Sequence, residues 1–325
     1  MRVRYLITLL VAGLLITSAA PAEAALKGAG PGCASGPDDV INNAVAGDIF
    51  TPLYEQDFGR NVNGAIIKVN MEIEGGWSSP NSDCGGNSTG VFTSRADMLA
   101  AGLTYNPADR SGLRADNTNP VFSLDEGVTS LLVRSINALS TDQISGNGGG
   151  MRVVGLAGSP KLSGATITID NSAFRPDFSF SGTLGALGDG GGIYLDLDNG
   201  SRLTISDSLF EDLSAGGDGG GFTIVVRGGS TVDISRTTVQ RNSAAGDCGG
   251  GKIVLENGTI TLRGNTFDSN AGAGGTADLC ITRPVGSSGA AKVYLLDNSF
   301  SASGLRVDAG VSVFTSQVFL PLVRR

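Results

Sequence analysis

Four residues have the types and spacing for acid–base chemistry. Asp196 and Asp198 lie two apart in an alternating apolar stretch. Arg227 follows Asp196 by 31 residues, and Glu256 follows Arg227 by 29. Carboxylates beside a guanidinium could hold an acidic glycan and move a proton during β-elimination or hydrolysis. The same residues could equally form a surface charge ladder on a solvated face. A second set, Asp189, Asp218 and Asp247, recurs every 29 residues, with Asn147 as an earlier relative. Carboxylates stacked about 5 Å apart in water repel by roughly 0.8 kcal/mol. A bound Ca²⁺ would remove that cost and suits oxygen ligands. Otherwise these are turn residues beside glycine. The sequence contains no histidine, which argues against a hydrolase site that pairs acids with histidine.

Three weaker signals stand beside these. One column reads Thr166, Arg202, Thr231, Thr259, Lys292, and the next reads Thr168, Thr204, Asp233, Thr261, Tyr294. Charges interrupt both, and threonine is a good strand residue in any case, so an ice-binding threonine face is not expected. Trp77 follows two glycines and could stack on a sugar, or fill a cap or core. The glycine runs are not followed by Lys-Ser or Lys-Thr and open no helix, so they make no nucleotide loop.

The element that must position all of these is a repeat of about 29 residues. Gly188-Asp189-Gly190-Gly191-Gly192 returns at Gly217–Gly221 and at Gly246–Gly250. Ile167, Leu203, Val232, Ile260 and Val293 each precede Phe174, Phe210, Val239, Phe267 and Phe300 by seven residues. Within a unit, Ile193, Leu195 and Leu197 alternate with polar residues, the period of a strand with one buried face. Turn signals such as Asn199-Gly200 separate three short strands per turn. A leucine-rich repeat needs regular leucines and an asparagine ladder, and the sequence is read as having neither. A propeller blade needs more residues. The expectation is an all-β parallel solenoid of about eight to ten coils.

Arg2 and Arg4, the apolar stretch Tyr5–Ile16 and Ala22-Glu23-Ala24 read as a signal peptide over residues 1–24. No later segment is apolar enough to span a bilayer. The remaining chain has 21 basic and 30 acidic residues, a net charge of −9, which disfavours binding nucleic acid, anionic lipid or acidic polysaccharide by general attraction. Residues 25–60 are expected to form an N-terminal cap with a short helix near Pro37–Val45, residues 61–310 the solenoid, and 311–325 a last strand or a sorting tail. Residues 67–73 read as one strand, and 78–120 as a long excursion. Leu139 is read as closing an early coil. Of the three possible cysteine pairings, Cys33–Cys84 and Cys248–Cys280 join segments on adjacent turns.

At these residues the chain resembles the right-handed parallel β-helix, or pectin-lyase-like, superfamily. More narrowly it is similar to the polymorphic outer-membrane-protein repeats of bacterial surface proteins. Their Phe-x-x-Asn element is matched by Phe267-Asp268-Ser269-Asn270, and by Val239-Gln240-Arg241-Asn242 with valine for phenylalanine. The resemblance implies a secreted or cell-surface β-helix that scaffolds, adheres or binds glycans and envelope proteins. It is read as non-catalytic and free of cofactor, with Ca²⁺ at the aspartate column as an option. The alternative is a lyase or hydrolase of acidic glycans using Asp196, Asp198, Arg227 and Glu256. Non-reducing peptide mapping of exported protein checks the cysteine pairing. The expected peptides join Cys33 to Cys84 and Cys248 to Cys280, and a Cys84–Cys248 peptide would contradict the coil assignment.

Overall fold

The structure, a computed structural model, describes residues 25–29, 37–52, 60–61, 66–78, 91–115, 119–140, 143–155, 160–176, 185–273, 277–301 and 304–315. Residues 1–24, read above as a signal peptide, and Cys33, Cys84 and the stretch 316–325 lie outside the described residues. The fold is a parallel β-helix. A coil runs from Ile193–Asp198 to Arg202–Ser206, Leu209–Glu211 and Ser214–Ala215, and then Phe222–Val226 begins the next. Each strand pairs with its equivalent one coil on. This gives sheets of eleven, nine, eight and five strands, named here sheets 1 to 4, with Arg202–Ser206 in sheet 1 and Ile193–Asp198 in sheet 2.

Three strands per turn are expected and four are found. The fourth, Ser214–Ala215, is two residues long and made of small side chains. It carries no apolar alternation to announce it. It also forces glycine on its neighbour: a Cβ on Gly191 would sit 2.5 Å from the Ser214 carbonyl oxygen.

The inward columns follow the repeat. Ile193 pairs with Phe222, Leu195 with Ile224 and then Ile253, Leu203 with Val232 and then Ile260, and Phe210 with Val239 and then Phe267. All of these are buried in one continuous core. Three local readings are corrected. The Phe174 column continues back to Ala138, not Leu139, which pairs with Arg175 on the other face. The alternation over 67–73 is two strands, Ile66–Ile67 in sheet 2 and Met71–Glu74 in sheet 1. Asn70 turns the chain between them, its Oδ1 accepting the N–H groups of Thr129 and Ser130 at 2.9 Å each. The excursion over 78–120 contains a helix, Arg95–Ala100, capped by Ser94, whose Met98 packs with Trp77, Phe92 and Leu103 in a separate small core.

Buried corners need their backbone donors satisfied, and polar side chains do this in columns. Where sheet 1 passes to sheet 3 the chain takes a left-handed residue, at Ser135, Asn171, Asp207, Arg236, Gly264 and Asp297. The next residue reaches along the axis. Ser172 N–H donates to Ser208 Oγ at 3.1 Å, Thr237 N–H to Asn265 Oδ1 at 2.9 Å, and Asn265 N–H to Asn298 Oδ1 at 3.0 Å. At the corner from sheet 3 to sheet 4, Leu213 N–H donates to Asn242 Oδ1, Asn242 N–H to Asn270 Oδ1, and Asn270 N–H to buried Asp278. The chain therefore has asparagine ladders, contrary to the reading of its sequence. They escape notice because only two members of each column are asparagine.

The N-terminal end is closed by α1 (Pro37–Asn42), which buries Val40 and Ile41 against the core as a solenoid end requires. Sheet 1 extends outward through Ile49–Pro52 and Leu26–Ala29, and at the other end through Ser312–Thr315. Phe267 is 1% exposed and its ring stacks on Phe300 with centroids 5.0 Å apart. Phe267→Ala is expected to cost about 3–5 kcal/mol in urea denaturation, and a loss below about 1 kcal/mol would contradict a packed column.

Candidate functional site

One cleft of about 550 Å³ opens on the outer face of sheet 2. Asn147, Arg152, Lys161, Tyr194, Asp196 and Arg227 are among the residues lining it. An interruption of the repeat makes it. Met151 and Arg152 pair with Ile193 and Tyr194, 42 residues on, whereas Thr166 pairs with Arg202, only 36 on. Six extra residues therefore lie between them. The strand Met151–Val154 stays paired with Phe122–Asp125 but stops pairing with Ile193–Asp198 after Arg152, and Leu162–Ser163 takes up pairing with Leu197–Asp198. The gap between the two is the cleft.

Asp196, Asp198, Arg227 and Glu256 do come together beside it. Arg227 holds Asp196 through two bonds, Nε to Oδ1 and Nη2 to Oδ2, each 2.9 Å. Its Nη1 reaches Glu256 at 3.2 Å. Asp198 turns to Lys161 at 2.5 Å. The expectation that Asp196 faces solvent is corrected: it is 5% exposed, because Arg227 covers it from the next coil. Burial pushes the Asp196 carboxyl up, opposed by the Arg227 charge and hydrogen bonds. The Lys161 hydrogen bond holds Asp198 below the usual carboxylate range. Each acid thus faces a cation.

Arg152 is the exception. Its Nη1 donates to the Ser145 carbonyl at 3.0 Å, its buried Nε has no acceptor, and it forms no ion pair among the described residues. Burial lowers its pKa. Tyr194 lies next to it in register, with its hydroxyl pKa raised by burial and then by Asp196 and Asp189. Sequence reasoning missed both. The available signal was the break in spacing between 151 and 193.

Asp189, Asp218 and Asp247 stack as expected, one coil apart. Each accepts from the next along the axis: Asp218 N–H donates to Asp189 Oδ1 at 2.8 Å and Asp247 N–H to Asp218 Oδ1 at 2.5 Å, while Asn147 Oδ1 accepts from Asp189 N–H. Lys252 pairs with Asp218 and Arg306 with Asp247. Burial works to raise the Asp218 carboxyl, but the Lys252 and Asp247 hydrogen bonds leave it below its usual value. Among the described residues no three His, Cys, Asp or Glu side chains converge as a metal site. Asp218 spends its oxygens on an N–H group and on Lys252, Asp189 spends one on an N–H group, and Asp247 spends one on Arg306.

The remaining sequence candidates have plain positions. Trp77 is buried, bonded to Glu74 and packed at a tilt against Tyr105, so it is not a sugar platform. The two threonine columns have the register read from the sequence. Cys248 and Cys280 form a disulfide across adjacent coils, with Cα atoms 5.5 Å apart. Cys248 occupies the left-handed position held by Gly190 and Gly219 in earlier coils. The Cys33–Cys84 pairing lies outside the described residues.

Fold and site together define a parallel β-helix with a side cleft whose acids are paired with cations and in which Arg152, unlike Arg227, has no anionic partner among the described residues. No family model matches the chain, and no curated protein or solved structure compared with it does. No described helix is long and apolar enough to cross a membrane.

Removing Arg227 would strand a buried carboxylate. Since the guanidinium is partly exposed, Arg227→Ala is expected to cost about 2–3 kcal/mol at pH 7. The Asp196 carboxyl then has a folded pKa above its unfolded one. Stability from its protonated form is complete below the unfolded value near 3.9 and is lost as pH rises through the folded value. Denaturation at several pH values should show the deficit shrinking toward pH 4. Adding Asp196→Asn should recover most of it at pH 7. A deficit independent of pH would contradict the pairing.

Proposed function

We propose that this chain is an exported, non-catalytic β-helix that works at the cell surface as a scaffold or adhesin, binding glycan through the cleft on sheet 2. Its kinship would be with pectin-lyase-like solenoids and, more closely, with the polymorphic outer-membrane-protein repeats. The observation that carries the reading is Arg152. A half-buried guanidinium without a carboxylate is completed by an anionic group from outside, and the adjacent Tyr194 ring suits a sugar face. Catalysis would need an acid or base free to exchange a proton at the reacting atom. Asp196, Asp198 and Glu256 are each committed to a cation, so they support recognition better than turnover.

The lyase or hydrolase reading keeps one supporting observation: Asp196 and Arg227 line the same cleft. A glycan array run with and without calcium, beside an assay for unsaturated products, separates the two. Binding of carboxylated or sulfated oligosaccharides without turnover is expected, weakened about tenfold by Arg152→Ala, a change of about 1.4 kcal/mol. Product formation abolished by Arg227→Ala would overturn the scaffold reading. Binding that appears only with calcium would transfer the site to the aspartate column.

A further inference from the structure

Another arginine without an anion lies on the outer face of sheet 3, on the coil that also carries Arg152. Outward positions there stack in columns. Gly112, Asn137, Ala173 and Leu209 form one, and Leu139 and Arg175 pair in the column beside it. On the other side is the corner from sheet 1, with Asn171 and Asp207.

Arg110 reaches across that corner. Its Nε donates to the Asn171 carbonyl at 2.8 Å, and its Nη2 to Asn171 Oδ1 at 3.2 Å and to the Asp207 carbonyl at 3.4 Å. These bonds hold the guanidinium level with the coil of Arg175, with the small Ala173 in the column between them. The nearby carboxylates are committed elsewhere. Asp207 gives both oxygens to Arg236. Asp170 accepts from Arg134 and Ser206. Glu211 follows Arg175 by one coil, but its Oε1 accepts from Gln240 and Arg241 of the next.

The Arg175 side chain makes no hydrogen bond or ion pair among the described residues, and its Nε is buried without an acceptor. Burial lowers the Arg110 pKa, and the Arg175 charge lowers it further, so the two cations repel. One coil back, in the column between them, Asn137 Oδ1 is buried without a donor. Orphaned buried groups of this kind mark the place of a water or ion. Their chemistry is mixed. Two guanidinium groups suit an oxyanion, whereas the Asn137 oxygen needs a donor. Sulfate and carboxylate supply acceptors only. Hydrogen phosphate, or a phosphate monoester in its singly protonated form, supplies acceptor oxygens and an O–H together.

We propose that the outer face of sheet 3 binds a protonated phosphate group, its oxygens on Arg110 and Arg175 and its O–H donated to Asn137 Oδ1. The site lies on a different sheet from the cleft and does not rest on the glycan reading.

Titration calorimetry tests it on the full chain carrying Arg152→Ala, so that the cleft does not contribute. The probes are inorganic phosphate, inorganic sulfate and glucose 6-phosphate. Phosphate should bind at least about tenfold more tightly than sulfate, the cost of leaving a buried acceptor unpaired. Arg175→Gln should weaken phosphate at least about tenfold, and Arg175→Lys should weaken it less. Asn137→Ala should keep anion binding and lose the preference for phosphate over sulfate. The sugar phosphate should bind at about pH 5.5 and weaken by about pH 8, where it has lost its proton, while inorganic phosphate still binds. Tighter binding of the ester than of the free ion at the lower pH would support the site with a phosphorylated ligand, and the reverse would support it with free phosphate. Unfolding midpoints check that each variant is folded. Absence of phosphate binding, equal affinity for sulfate, or folded Arg175→Gln binding phosphate like its parent would each overturn the proposal.

Discussion

Everything in this molecule depends on one constraint: backbone N–H and C=O groups pair between coils, not within them. Successive coils must then lie at the strand spacing, in register, over the whole length. A residue is stacked on its equivalent whatever its type. Apolar positions become a continuous core, and polar or charged positions become columns of like groups that repel or must be bridged. The sequence can be read as a set of solutions to that second problem.

At buried corners the solution is a side-chain amide or hydroxyl that accepts the N–H of the neighbouring coil. Asn270 shows how complete it is. Its Oδ1 accepts from the backbone and side chain of Asn242, and its Nδ2 donates to the Val239 carbonyl and to Asp278. On the outer faces the solution is alternation of sign from coil to coil. Arg236 holds Asp207 and Arg241 holds Asp212, in each case 29 residues back and through two bonds. Arg227 over Asp196 is the same device, more deeply buried. The proposed binding cleft is where it lapses: six extra residues remove a stretch of sheet, and Arg152 is left without a column neighbour of opposite sign.

Most of the fold was legible because apolar columns are carried by single residues at constant spacing, as at Phe210, Val239 and Phe267. The α1 cap was legible from its position before the first coils. What was not legible depended on neighbours distant in sequence. Ser214–Ala215 has no pattern of its own and exists because Gly185 and Ser243 flank it. The ladders mix Ser, Thr, Asn and Asp, so no single letter repeats. The Phe-x-x-Asn element was noticed as a family likeness, yet its physical content is the Asn242–Asn270 ladder. At the site, the cluster of Asp196, Asp198, Arg227 and Glu256 was anticipated, but not that the ion pairs would bury Asp196. Arg152 and Tyr194 gain meaning only from a gap in a sheet, which alternation cannot reveal.

The central claim is that polar side chains coupled from coil to coil hold this register. A double-mutant cycle between Asn242 and Asn270 tests it most directly, with each replaced by alanine singly and together and stability read by denaturant unfolding. Groups in one hydrogen-bond network show interaction energies of about 0.5–3 kcal/mol. The account predicts a coupling in that range, with the double variant less destabilised than the sum of the single ones. Strict additivity would mean that the two asparagines act independently and that the apolar columns alone set the stacking.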